Sequence, residues 1–107
     1  MTTYIFDIDG TICNSSGGDY STATPKENRI KKVNQLYGEG HTIIFLTARG
    51  MGRFNNNSLL ANEEFYDLTL GQLNDWGVNY HKLFLGKPAG DAYIDDKGIN
   101  DYDFFKD

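Results

Sequence analysis

The run Tyr4–Ile8, YIFDI, is mostly apolar and is cut off by Asp9 and Gly10. A short run without clean alternation is the pattern of a strand buried within a parallel sheet. Parallel strands need a long crossover connection, and the chain supplies one. Pro25 after Thr24 has the form of a first helical residue behind its N-cap. Ile30, Val33, Leu36 and Tyr37 then recur as one apolar stripe that stops before Gly38 and Gly40. The next apolar run, Thr42–Leu46, completes a strand, helix, strand unit.

The same alternation continues. Residues 14–24, NSSGGDYSTAT, are polar and glycine-paired, which predicts a loop or small flap, and GMGRFNNNS at 50–58 predicts a second loop. A helix is expected within 59–76, with Phe65, Leu68, Leu73 and Trp76 on its inner stripe and Gly77 as its stop. Apolar runs at Leu83–Leu85 and Ala92–Ile94 read as a third and a fourth strand, and Phe104 and Phe105 as the inner residues of a short closing helix. The fold class expected is α/β: a single three-layer, Rossmann-like domain over 1–107 with a mainly parallel central sheet.

Composition removes several function classes. A net charge of −5, with no basic run beyond Lys31 and Lys32, is a poor footprint for nucleic acid. No apolar stretch approaches the roughly 20 residues of a spanning helix, and no signal peptide precedes the first strand, so a soluble cytoplasmic protein with no membrane partner is expected. Cys13 is the only cysteine, which excludes an intrachain disulfide and a thiolate zinc cluster, and it reads as a small packed residue.

Asp7 and Asp9 stand two residues apart and project to one side of the first strand's C-terminal end. Thr47 follows the second strand, and Asp95 and Asp96 end the fourth apolar run. In open α/β sheets these strand ends converge on one crevice. Four carboxylates gathered there call for a cation, and hard oxygen donors suit Mg²⁺. His41 and His81 precede strands at the opposite edge and read as structural or solvated.

The motifs DIDGT, LTAR, GKP and YIDDK stand in the order found in the haloacid dehalogenase (HAD) superfamily of phosphohydrolases. The chain resembles that superfamily from Tyr4 to about Lys97, and within it the small capsule-biosynthesis phosphatases most. The resemblance implies a Mg²⁺-dependent phosphatase. In it Asp7 is the nucleophile, Asp9 the general acid and then base, Thr47 a donor to the phosphoryl group, and Lys87 the ammonium that offsets its charge. It also implies a metal held by Asp7, Asp9 and one of Asp95 and Asp96, with Asp96 favoured, and substrate contacts from Gly10, Thr11, Ala48, Arg49 and Arg53.

Two features depart from that pattern. No stretch is long enough for a cap domain, so either a bulky substrate or a second copy of the chain would cover the site. Only residues 86–91 join the third and fourth runs, too few for a parallel crossover, so an irregular loop or a local hairpin is expected, with Lys82 and Lys97 as substitutes for Lys87. The expected substrate is a small phosphorylated metabolite such as a sugar phosphate. The alternatives are a nucleotide or polynucleotide end phosphatase and a non-enzymatic, receiver-like phosphoacceptor. Motif order, with Asp-x-Asp first and the Asp pair last, favours the hydrolase.

Overall fold

The computed structural model describes residues Met1–Asp107. In chain order the elements are β1 (Thr3–Phe6), β2 (Cys13–Ser16), β3 (Asp19–Pro25), α1 (Glu27–Gly38), β4 (Thr42–Thr47), α2 (Ser58–Asp75), β5 (Lys82–Leu85) and α3 (Asp101–Phe105). The main sheet has the order β1-β4-β5 and is parallel throughout, with Phe6 opposite Phe45 and Thr47 opposite Leu85. No cap is inserted, and this is the α/β, Rossmann-like arrangement expected.

Side chains alternate across each strand, and paired residues share a face. Phe6, Ile43, Phe45, Leu83 and Leu85 line the covered face, where they join Ile30 and Val33 of α1, Phe65 and Leu73 of α2, and Phe105 of α3 in one core. Ile5, Ile44, Leu46 and Phe84 occupy the other face and lie outside that core; Ile5 is 63% and Phe84 50% exposed. The helices therefore form one layer on one face of the sheet, and in place of the three layers expected there are two. Successive crossovers of one hand that step across a sheet in one direction place their helices on the same face, which accounts for the asymmetry.

Three local expectations are corrected. The flap is a regular antiparallel ribbon, β2 against β3, turned by Gly17 and Gly18 at φ 59° and 79°. Two successive positive φ values match the right-handed twist of a hairpin, and glycine accepts them without strain. Pairing of Cys13 with Pro25 and Asn14 with Thr24 keeps Thr24 and Pro25 extended, so α1 starts at Glu27 behind Lys26 rather than at Pro25. The run Ala92–Ile94 forms no strand and lies in the wholly exposed stretch 88–100, where Ile94 is 96% exposed. There Asp95 Oδ1 accepts the N–H groups of Lys97 and Gly98, a local turn that competes with strand pairing and holds its carboxyl below the usual range.

One buried cation ties the two ends of the fold. Arg29 donates from Nε and Nη2 to Asp107 at 2.7 and 2.9 Å, and from Nη1 to Asp101 at 2.6 Å and to the Thr11 carbonyl at 3.1 Å. Its guanidinium also lies 4.8 Å from the Phe105 ring centroid. At the sheet's other end His41 Nδ1 accepts the Thr2 N–H and His81 Nδ1 the Ile43 N–H, a structural role for both histidines. No helix is long and apolar enough to cross a membrane.

Candidate active site

β1 ends at Phe6, and the chain turns immediately: the Ile8 carbonyl accepts the N–H groups of Thr11 and Ile12, and Gly10, at φ 82°, donates to the Cys13 carbonyl. This turn leaves the carboxylates of Asp7 and Asp9 half-buried at the C-terminal edge of the sheet. β4 ends at the same edge with Thr47, and the chain leaving β5 donates from Lys87 N–H to the Thr47 carbonyl at 3.2 Å. β5 lies two strand spacings from β1, about 9.5 Å, so the Lys87 stem crosses the end of β4 to bring Nζ within 3.9 Å of Asp7 Oδ1. Asp7, Thr47 and Lys87 are thus neighbours; neither Lys82, at the far end of β5, nor Lys97, paired with Asp96, takes that place.

The two carboxylates have separate cations. Lys87 faces Asp7, while Arg49 grips Asp9 side-on, Nε to Oδ2 at 2.9 Å and Nη2 to Oδ1 at 3.0 Å. Burial raises the Asp7 carboxyl above its ordinary range and the Asp9 charge adds to this, while Lys87, the Ile8 backbone and Arg49 oppose it. The cation that the Asp pair requires is supplied, within the chain, by two side chains. Charge repulsion between Asp7 and Asp9 therefore does not by itself require a metal.

Arg49 corrects its expected role as a substrate ligand. It is fully buried and committed on every side: beyond Asp9, Nη1 donates to Thr69 at 3.2 Å and to Gln72 at 2.6 Å, and the guanidinium lies 4.9 Å from the Tyr20 ring centroid. The second Nη2 N–H is directed at the Cys13 sulfur, 3.9 Å away, so no donor is left over for a phosphate. Arg53 is exposed, with its guanidinium 4.9 Å from the Phe65 ring, on a cleft of about 360 Å³ between the flap residues 17–21 and Phe65 and Leu68 of α2. Thr47 is buried, and its hydroxyl accepts the Arg49 N–H at 3.1 Å, which leaves its own O–H free to donate. The Gly10 and Thr11 carbonyls are tied to Lys26 and Arg29, and that of Ala48 to the Met51 N–H.

Asp95 and Asp96 are the further carboxylates expected of a metal site. Both sit in the exposed stretch, and no group of three His, Cys, Asp or Glu side chains comes together anywhere to hold an ion. Asp7 and the Asp9 carbonyl are oxygen donors of the kind Mg²⁺ takes, an ion that commonly fills its other positions with water and substrate phosphate oxygens. Cys13 is buried, and desolvation, helped by the Asp9 charge, pushes its thiol up to about 12. It is a protonated donor to Asp9 Oδ1 at 3.4 Å rather than a nucleophile.

Four residues around the site escaped the sequence reading: Tyr20, Thr69, Gln72 and Tyr93. Tyr20 is the one aromatic residue of an otherwise polar flap, and that contrast was its signal. Thr69 interrupts the buried row Ala61, Phe65, Thr69, Leu73 on α2, and a polar residue in an i, i+4 row calls for a polar partner. Gln72 lies one turn further on. Tyr93 packs its ring 4.4 Å from Lys87 Nζ, a contact with no counterpart in local sequence.

The loop after Thr47 depends on Gly50. Its φ is 78°, and a Cβ there would stand 2.6 Å from Phe65 Cδ2, while its N–H donates to the Tyr20 hydroxyl at 3.2 Å. Gly50→Ala should cost about 1–3 kcal/mol through the clash and the positive φ. It should also speed proteolytic cleavage of the flap. An unchanged melting temperature with an unchanged cleavage rate would show that Gly50 has no such part.

No family model and no curated protein matches the chain. Its fold is similar to a crystal structure of a structural-genomics target from Vibrio cholerae, with a TM-score of 0.89 and 27% identity over 98% of this chain and 88% of that one.

Proposed function

We propose that this chain is a phosphomonoester hydrolase of the HAD type that works through an aspartyl-phosphate on Asp7. The observation that carries the reading is the meeting of Asp7, Thr47 and Lys87 at adjoining strand ends, with Asp9 two residues beyond the nucleophile. A lone acidic turn has no use for a lysine reaching across a strand to meet it.

In the first step an Asp7 carboxylate oxygen forms a bond to phosphorus while the bond from phosphorus to the ester oxygen breaks, and Asp9 delivers a proton to that leaving oxygen. In the second, Asp9 takes a proton from water, the water oxygen bonds to phosphorus, and the acyl phosphate bond breaks to release inorganic phosphate and restore Asp7. Lys87 offsets charge on Asp7 and the phosphoryl group, and the Thr47 hydroxyl donates to a phosphoryl oxygen. The net charge of −5 favours a small ester, such as a sugar phosphate, over a polynucleotide end.

A panel of aryl, sugar and nucleotide phosphates tests this reading. Lys87→Met should lower kcat/KM by about 10²-fold or more, the scale for one electrostatic donor. Wild-type turnover with no loss in Lys87→Met would remove Lys87 from the site.

Magnesium enters the proposal through the 88–100 stretch, where Asp95 and Asp96 lie. Tyr93 of that stretch packs against Lys87, and if Asp95 or Asp96 completes the metal's ligands, Mg²⁺ should slow amide exchange across residues 91–98, and a chelator should stop turnover. Turnover that persists in chelator, with exchange unaltered by Mg²⁺, would take the metal out of the proposal.

A further inference from the structure

Arg49 is the buried cation next to the reacting carboxylates that the hydrolytic steps leave unused. Its environment has the form of a clamp. Two of its nitrogens grip both oxygens of Asp9; the third, Nη1, is fixed by Thr69 and Gln72 of α2. The face of the guanidinium is covered by the Tyr20 ring at 4.9 Å. Tyr20 is itself fixed at two points, since its carbonyl accepts Gln72 Nε2 at 2.6 Å and its hydroxyl accepts the Gly50 N–H at 3.2 Å. Gln72 thus holds Arg49 with its oxygen and the flap with its nitrogen.

A side-on, two-point ion pair fixes the carboxylate plane as well as its position, which a lysine or a single hydrogen bond cannot do. Asp9 would otherwise be free to rotate about its own side-chain torsions, because its remaining polar contact is the weak Cys13 thiol at 3.4 Å. We propose that Arg49 is a positioning residue that sets the orientation from which Asp9 serves the leaving oxygen, and that Gln72 and the flap residue Tyr20 hold Arg49 in that role. The proposal rests on the hydrolase reading above. It adds that the flap reaches the proton-moving carboxylate through a buried guanidinium, not through contact with substrate.

A group that orients a proton donor has a signature that a merely structural residue lacks. An aryl phosphate expels a stable phenolate and needs little protonation, whereas an alkyl or sugar phosphate expels a poor leaving group and depends on it. Disturbing the clamp should therefore slow alkyl esters selectively. Turnover of p-nitrophenyl phosphate and of a sugar phosphate by Arg49→Met, Arg49→Lys and Gln72→Ala, compared with wild type, tests this, with each variant's melting temperature recorded.

Arg49→Met should lose about 10²-fold in kcat/KM on the sugar phosphate and only a few-fold on the aryl ester, because kcat/KM ends at the first, leaving-group-dependent transfer, whereas kcat includes the second step that both esters share. Arg49→Lys, which keeps the charge and loses the side-on pair, should show the same selectivity to a smaller degree. If removal of the buried cation prevents folding, Gln72→Ala decides: it should lose about tenfold on the sugar phosphate alone, short of what displacing a reacting group by about 1 Å costs. Equal losses in kcat/KM on both esters, or none, in folded variants would overturn the proposal while the hydrolase reading stood. Absence of turnover by wild type on either ester would instead remove the reading on which it rests.

Discussion

Asp7→Asn is expected to abolish turnover and to raise the melting temperature. The amide cannot form the acyl phosphate, so kcat should fall by at least about 10³-fold, as removal of a nucleophile does elsewhere. The stability change has the opposite sign for a physical reason: the Asp7 carboxyl is raised above its ordinary range, chiefly by burial. A raised carboxyl means that the folded chain prefers the neutral form. Stability contributed by Asp7 therefore falls as pH climbs from the unfolded value, about 3.9, through the raised folded value, and at neutral pH the ionised side chain is a net burden. An isosteric neutral side chain removes the burden, so the gain in melting temperature should be present at neutral pH and vanish in acid. A lower melting temperature at neutral pH would contradict this account of the site's electrostatics.

Arg29→Met should destabilise the chain strongly. Arg29 joins α1 to the Thr11 carbonyl, to Asp101 at the start of α3 and to Asp107, and its planar face packs on Phe105. Both carboxylates keep some access to water, so their loss of a partner is softened, and a cost of about 2–4 kcal/mol is expected, a fall of roughly 10–20 °C. Lysine cannot span the three partners at once, so Arg29→Lys should recover less than half of the loss. The pH dependence runs opposite to that of Asp7. Arg29 holds the Asp107 carboxyl below its ordinary range, so this tie is complete above the ordinary carboxylate value, about 3.9, and is lost as pH falls through the lowered one. Differential scanning calorimetry between acid and neutral pH checks both signs with the two variants.

What could be read from the residues divides along physical lines. The strand and helix stripes were legible because burial repeats with the period of the element, and β1, α1, β4, α2 and β5 fall where the apolar rows place them. The flap's pairing was hidden, because Asn14 to Thr24 carries almost no apolar signal and the hairpin is set by Gly17 and Gly18. The run Ala92–Ile94 misled for the converse reason: its composition suits a strand, yet six residues after β5 no crossover can form and Asp95 caps a turn of its own.

At the site, Asp7 and Thr47 were legible as polar residues terminating apolar runs. The approach of Lys87 depends on a stem crossing a neighbouring strand, which no local pattern encodes. Arg49 lies next to the LTAR motif's small residue and reads naturally as an anion ligand; only the tertiary position of Thr69, Gln72 and Tyr20 reveals that its donors are spent.

The central claim is that phosphorus is transferred to Asp7 and then to water. The direct measurement is acid-quenched rapid mixing with a phosphomonoester that the wild type hydrolyses, followed by peptide mass spectrometry to locate the phosphoryl group. The account predicts a transient adduct on Asp7 that forms and decays as fast as inorganic phosphate appears, and none in Asp7→Asn. Hydrolysis of the ester with the adduct on another residue, or an Asp7 adduct that accumulates without turnover as in a phosphoacceptor, would contradict it.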